Sequence, residues 1–267
     1  MRVMTWNINS VRLRAPLLAE LVKHSAPDVV CLQETKTPDE HFPREVLEKL
    51  GYPHIAFVGM KGYNGVAILS KFPLEDIRTF PRCLKEDCRH IAAKVMQDDK
   101  TAFDIHNLYV PAGGDKPDPV INDKFQHKLD FVDELSEFFP KHHANDEPMI
   151  VVGDLNIAPL ENDVWSHKQM LKVVSHTPVE VEKLNDFYRS MGWIDAVRHF
   201  VPDEEKLYSW WSYRARDWEA SDRGRRLDHI WVTDPLKEKL KSQQVLKTVR
   251  GWERPSDHAP VIIDIDM

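Results

Sequence analysis

Apolar positions along the chain repeat with two different periods. Three short runs are apolar throughout and rich in β-branched residues: Val29 onward, Val66–Ser70 and Met149 onward. That is the pattern of strands covered on both faces. The third continues as Gly153-Asp154-Leu155-Asn156, so a carboxylate and a carboxamide leave a core strand at i and i+2, on the same side of extended chain. A strand over residues 2–9 ends in two asparagines. His54–Val58 and Val66–Ser70 flank a tight turn at 61–65 that presents Lys61 and Tyr63 outward. His90–Met96 and Ala102–Tyr109 alternate around Asp98-Asp99-Lys100, which predicts a hairpin. Further strands are expected at 227–232 and Val261–Ile265.

The helical period appears elsewhere. Over 11–24, Leu13, Leu17, Leu18, Leu21 and Val22 share a face, with Ser10 as N-cap. Over 122–139, Phe125, Leu129, Val132, Leu135 and Phe139 do so, with Asn122 as cap and Pro140 beyond the end. A short helix at 44–50 and helical segments near 164–173 and 179–191 complete the pattern. Mixed strands and helices, several hairpins and no regular βαβ repeat favour two packed sheets covered by helices over a doubly wound parallel sheet.

Composition adds bounds. No linker, repeat or low-complexity run divides the 267 residues, so a single domain over 1–267 is expected. No transmembrane-length stretch or signal pattern stands out, and three cysteines make no disulfide framework, which fits the reducing cytoplasm. A net charge of −7 argues against a generic polyanion binder, but phosphate contacts need only a local basic face. Such a face is concentrated in 207–226, where Trp210, Trp211 and Tyr213 alternate with Arg214 and Arg216, and Arg223, Arg225 and Arg226 follow. This stretch reads either as a nucleic-acid footprint or as an aromatic core strand beside a solvated basic turn.

The strand ends carry Asn7, Glu34, Tyr109, Asp154, Asn156, Asp228, Asp257 and His258. The set has no sulfur and a single histidine; its hard oxygen donors select Mg²⁺, Mn²⁺ or Ca²⁺ over zinc. Carboxamides and an imidazole beside carboxylates suit a phosphate ester, with cation and imidazolium screening the phosphoryl oxygens while a carboxylate prepares water.

Trp-Asn-Ile-Asn, Gln-Glu-Thr-Lys, Gly-Tyr-Asn-Gly-Val-Ala, Asn-Leu-Tyr-Val-Pro, Gly-Asp-Leu-Asn, Arg-Leu-Asp-His and Ser-Asp-His-Ala-Pro stand in the order and spacing of a known family. From residue 2 to about 265 the chain resembles the exonuclease III / abasic-site endonuclease family of the endonuclease–exonuclease–phosphatase superfamily. Tyr109 and the Tyr-Ser-Trp-Trp stretch point to the abasic-site branch. The resemblance implies an α/β (α+β) four-layer sandwich of the DNase I-like kind, two mixed sheets flanked by helices. It implies that Glu34 binds a divalent metal, Mg²⁺ or Mn²⁺, with Asn7 and Asp257 nearby. Asp154 would activate or position water, and Asn156 would hold the phosphate or that water. Tyr109 would bond the phosphate or help the leaving oxygen. His258, oriented by Asp228, would bind a phosphoryl oxygen. Trp210 and Leu227 match a pocket for a sugar without its base, and Lys61, Tyr63, Lys116 and Arg214 match loops that grip the DNA backbone. Three positions depart from the pattern: Asn9 where some members carry Asp, Ala112 where Asn or Gln is usual, and Arg225 where the pocket wall is often apolar or aromatic.

The leading expectation is therefore a monomeric Mg²⁺-dependent DNA repair nuclease. It would cut duplex DNA 5′ to an abasic site, with 3′→5′ exonuclease or 3′-phosphodiesterase activity. A phosphoesterase for a lipid or small phosphodiester, and a non-catalytic DNA-binding relative, are the alternatives. The first predicts an apolar membrane-facing loop, the second a lost carboxylate or histidine.

Overall fold

A computed structural model describes residues 1–98 and 101–267; Asp99 and Lys100 of the expected hairpin turn lie outside the described residues. In chain order the first strands are β1 (Arg2–Asn7), β2 (Val29–Gln33), β3 (His54–Val58), β4 (Val66–Ser70), β5 (Leu74–Thr79), β6 (His90–Met96) and β7 (Ala102–Tyr109). Then come β8 (Met149–Asp154), β9 (Ile194–Asp195), β10 (Trp210–Trp211), β11 (Gly224–Arg225), β12 (Asp228–Val232), β13 (Leu240–Val245) and β14 (Val261–Ile265). One six-stranded sheet runs β13-β14-β1-β2-β4-β3 and the other β5-β6-β7-β8-β12-β9; β10 and β11 form a separate ribbon. Each large sheet has one parallel pair at its centre, β1 with β2 and β7 with β8, among antiparallel neighbours.

The period-two rule explains why the central strands are apolar throughout. Ile150 and Val152 of β8, and Val29 and Cys31 of β2, meet in the space between the sheets. Their alternates face outward onto helices. Val30 and Leu32 pack with Leu18 and Leu21 of the Val11–Ser25 helix. Met149 and Val151 pack with Phe131 and Leu135 of the Asp123–His142 helix and Leu184 and Phe187 of the Pro178–Ser190 helix. The layers are helix, sheet, sheet, helix.

Several boundaries differ from the sequence pattern. β1 and β2 stop at Asn7 and Gln33 because Asn9, Ser10, Glu34 and Lys36 take left-handed backbone (φ 49°, 87°, 52° and 51°). Ser10 consequently makes no side-chain cap, and Leu13 lies exposed rather than on the packed face. Pro140 sits inside the Asp123–His142 helix; it withholds only its own N–H near the end, and the His143 N–H closes that end on the Phe139 carbonyl at 2.9 Å. Asn122 does cap, accepting from the N–H groups of Lys124 and Phe125. Within 164–173 only His167–Met170 is α-helical. No helix among the described residues is long and apolar enough to cross a membrane.

Candidate active site

Topology brings the polar strand ends to one edge. Asn7 and Tyr109 close β1 and β7, Asp154 closes β8, and Glu34 follows β2 directly. Asp228 opens β12, which is antiparallel to β8, so it pairs with Asp154; Tyr109 pairs with Asp154 from the other side. His258 precedes β14, antiparallel to β1, and bridges to the Trp210 backbone. Sheet packing then sets the two edges side by side. Gly153 marks how close the backbones run: at φ 144°, a Cβ there would collide with the Leu108 carbonyl oxygen.

The floor is one hydrogen-bonded network drawn from both sheets. Wholly buried Asn7 donates through Nδ2 to Glu34 Oε1 (3.0 Å) and to Asp154 Oδ2 (2.9 Å). The Tyr109 hydroxyl donates to the same Glu34 Oε1 at 2.8 Å. Asp154 Oδ1 accepts from the Asn156 N–H at 2.9 Å, and Asn156, left-handed at φ 54°, donates its amide to the Val110 carbonyl at 2.8 Å. His258 stands between two carboxylates, Nδ1 2.8 Å from Asp228 Oδ2 and Nε2 3.6 Å from Asp154 Oδ2. Five non-glycine residues beside the strand ends (Asn9, Ser10, Glu34, Lys36 and Asn156) hold positive φ, a clustering of backbone strain found at functional sites.

Electrostatics separates the acids. Burial raises Asp154, against the pull of His258, to about 7. Burial would strip the proton from His258, but Asp228 and Asp154 outweigh it and raise the imidazole to about 10. Glu34 is held below the usual carboxylate range: burial works the other way, but Lys36 and the donors Asn7 and Tyr109 prevail. Burial, then Glu34 and Asp154, push the Tyr109 phenol well up, so it stays a donor.

The donors fit a hard cation. Lys36 Nζ lies 2.6 Å from Glu34 Oε2 and 2.8 Å from Asn9 Oδ1, so a positive charge already sits among these oxygens. Asp257 is nearby, its Oδ1 accepting from Asn9 Nδ2 at 3.2 Å and its Oδ2 from the Trp210 indole at 2.9 Å. Asp154, Asp228 and His258 also bring ligand atoms within 4.8 Å of one another. There, however, each imidazole nitrogen faces its own carboxylate, which describes a proton-bearing relay better than a metal cage.

Glu34, Tyr109, Asp154, Asn156, Asp257 and His258 line a cleft of about 700 Å³, whose wall includes Trp210, Arg214, Arg225 and Leu227. Tyr63 lines an adjoining groove that meets the cleft at Tyr109 and Ala112. Lys61 and Lys116 are exposed and line neither. Arg226 does not belong to the basic face suggested by its neighbours. It is buried and pinned between Asp163 and Asp195, and its backbone N–H bonds the Asp163 carbonyl at 2.7 Å. Sequence reasoning also missed the supports. Ser209 Oγ donates to Asp228 Oδ2 at 2.6 Å and fixes the carboxylate behind the imidazole. Asn107 Oδ1 accepts from Gln33 Nε2 at 2.6 Å, tying the sheets together beneath the site. Lys128 Nζ, wholly buried against Glu180, donates to the Asn156 carbonyl at 2.8 Å. A serine, an asparagine and a helix lysine carry no local signal of such roles; only a polar residue inside an apolar strand, as at Asn107, could have raised the question.

The fold has known counterparts. A model of the Endonuclease/Exonuclease/phosphatase family matches residues 4–258, and the chain belongs to that family. Exodeoxyribonuclease III of Haemophilus influenzae is 32% identical over 271 residues, covering 98% of each chain. A solved AP endonuclease from Archaeoglobus fulgidus superposes with a TM-score of 0.91 at 30% identity, over 100% of both chains. A Neisseria 3′ phosphatase bound to product DNA hairpin gives 0.89 at 30% identity, again over 100% of both. Within the family the match falls on the exonuclease III and abasic-site endonuclease branch, whose members are hydrolytic nucleases.

Proposed function

We propose that the chain acts as one catalytic domain, a divalent-cation-dependent DNA repair nuclease. It hydrolyses the phosphodiester 5′ to an abasic site and cleaves blocked or plain 3′ ends of duplex DNA. The observation that carries this reading is the closed network in which Asn7 ties Glu34 to Asp154 while His258 spans Asp154 and Asp228, at the bottom of a cleft walled by tryptophan and by arginines with no carboxylate partner among the described residues.

In this mechanism Glu34 and Asp257 would hold Mg²⁺ or Mn²⁺, with Asn9 in place of the expected Asn7, whose amide is spent on the two carboxylates; the ion would supply charge neutralisation at the phosphate. Asn7 directs its amide to the two carboxylates and holds them apart. Asp154, above neutral pH an aimed base, takes a proton from the attacking water. The His258 imidazolium, kept charged by Asp228, donates to a phosphoryl oxygen. Tyr109 and Asn156 offer further donors to the phosphate or the leaving oxygen. Trp210 and the arginines engage DNA, and an intact catalytic set and a basic, aromatic rim speak against the non-catalytic and lipid alternatives. A cytoplasmic monomer fits this role.

The test is a substrate panel at fixed salt: abasic duplex, 3′-phosphate end, blunt end and single strand, each with Mg²⁺ and with EDTA. Cleavage of the duplex substrates that EDTA abolishes is expected. Intact duplexes together with hydrolysis of a lipid or inositol phosphodiester would overturn the reading.

A further inference from the structure

Three arginines on the cleft wall have no carboxylate partner among the described residues, and Arg225 differs from the other two. Arg214 and Arg223 are exposed, whereas Arg225 is half-buried with its guanidinium 4.9 Å from the centroid of the Trp210 indole. One of its terminal nitrogens donates to the Val174 carbonyl at 3.1 Å and to Ser175 Oγ at 3.0 Å. Its Nε is buried with no partner. The acid whose charge reaches it, Glu180, is spent on Lys128, the Ser175 N–H and Thr177. Neutral acceptors and an aromatic face therefore hold a cation that has no carboxylate in contact with it among the described residues. A partly desolvated charge without a counterion is costly. It is tolerable where a ligand brings the anion.

Its position says which part of a ligand that is. Arg225 pairs with Trp210 across the β10–β11 ribbon, and Trp210 in turn bridges to His258 and bonds Asp257. Arg225, Trp210, Val174, Leu227 and His258 thus line one recess of the cleft, with the guanidinium held between the Trp210 ring and the Val174 carbonyl. On the phosphodiesterase reading above, on which this inference rests, water adds its hydroxyl to phosphorus and the P–O3′ bond breaks. O3′ takes the water's second proton to become a 3′-hydroxyl, and phosphate leaves with whatever else it carries. That remaining substituent is what enters the recess.

We propose that Arg225 is the specificity-determining residue of this recess: it occupies room that a base-less deoxyribose needs, and it favours 3′ ends whose phosphate bears an additional negative charge. The favoured ends are a terminal phosphate or a phosphate carrying a small carboxylate. A neutral abasic sugar meets a charge with no partner where it requires an apolar wall.

The experiment compares three duplexes with Mg²⁺: one ending in 3′-phosphoglycolate, one ending in 3′-phosphate, and one with an internal tetrahydrofuran abasic analogue. For the wild-type protein, kcat/KM on the phosphoglycolate end should exceed that on the abasic analogue at least tenfold. Arg225→Leu should shift that ratio at least tenfold toward the abasic duplex, and Arg225→Lys, which keeps charge but not the flat face, should fall between. An unchanged ratio with active cleavage of all three overturns the role of Arg225 and leaves the nuclease reading standing. Wild-type protein that cuts none of the three removes both. Should Arg225→Leu not fold, a wild-type preference for the abasic duplex, or an Arg225→Lys ratio equal to wild type, overturns the inference.

Discussion

On the floor of the cleft, Asn7, Glu34, Asp154 and His258 satisfy one another, and each is fixed from two or more sides. On the wall, Arg214, Arg223 and Arg225 have no carboxylate partner among the described residues; Arg223 and Arg225 lie against Trp165 and Trp210 instead. The first region has its polar groups hydrogen-bonded to one another before any ligand arrives, and the second keeps positive charge in reserve. Preorganised dipoles and charges are what stabilise a small, fixed reacting group. A flexible polyanion is gripped by unspent charge and stacking surface. On the proposed function the contrast separates chemistry from recognition, and substitutions in the two regions should fail in different ways.

The largest effect is expected on the floor. Asp154→Asn or His258→Asn should each lower kcat about a thousandfold with KM little changed, and near-UV circular dichroism should report an intact fold. A loss confined to KM would erase the distinction between the two regions. Next, Arg226→Met should cost about 3 kcal/mol or more in urea unfolding, because it leaves Asp195 without its cation and Asp163 with Arg198 alone. Full stability would mean that Arg226 belongs to the rim after all.

Asp228→Asn is expected to cost about a hundredfold in kcat and to move a pH limb. With Asp228 and Asp154 raising His258 to about 10, the imidazole stays charged through neutral pH and loses its proton only in strong alkali. Removing one of those charges lowers that pKa, so the alkaline decline of kcat/KM should begin at lower pH. A profile identical to wild type would remove the imidazolium from the reaction. The smallest effects belong to the rim: Lys61→Ala or Arg214→Ala should raise KM a few-fold. Each should reduce the slope of log affinity against log salt by about 1, measured by titration of duplex DNA without turnover. An unchanged slope for both would take these side chains off the DNA path.

The two regions are unequally legible in the amino-acid sequence. Asp154, Asn156, Asp228 and His258 are each weak signals alone and stand out only as a set of polar residues beside apolar strands. Tyr63 and Arg214 are visible only as exposed loop chemistry, and Lys61 and Lys116 turn out to line neither groove. Ser209, Asn107 and Lys128 cannot be singled out, since their importance lies in partners 19 to 74 positions away, or, for Lys128, 28 and 52.

Periodicity located most strands and helices of this protein and favoured two packed sheets covered by helices, since alternation along a strand and spacing along a helix are local properties of the chain; the four-layer sandwich followed from the family resemblance. Periodicity also settled which residue types stand at the strand ends. Tertiary structure decided the rest. It set the ends of two sheets side by side so that Asn7 could join Glu34 to Asp154, and it turned Arg226 inward to two aspartates while Arg225 met Trp210. Neighbouring arginines look alike in a sequence. What they do depends on the charge each one faces, and that is a property of distant segments meeting in space.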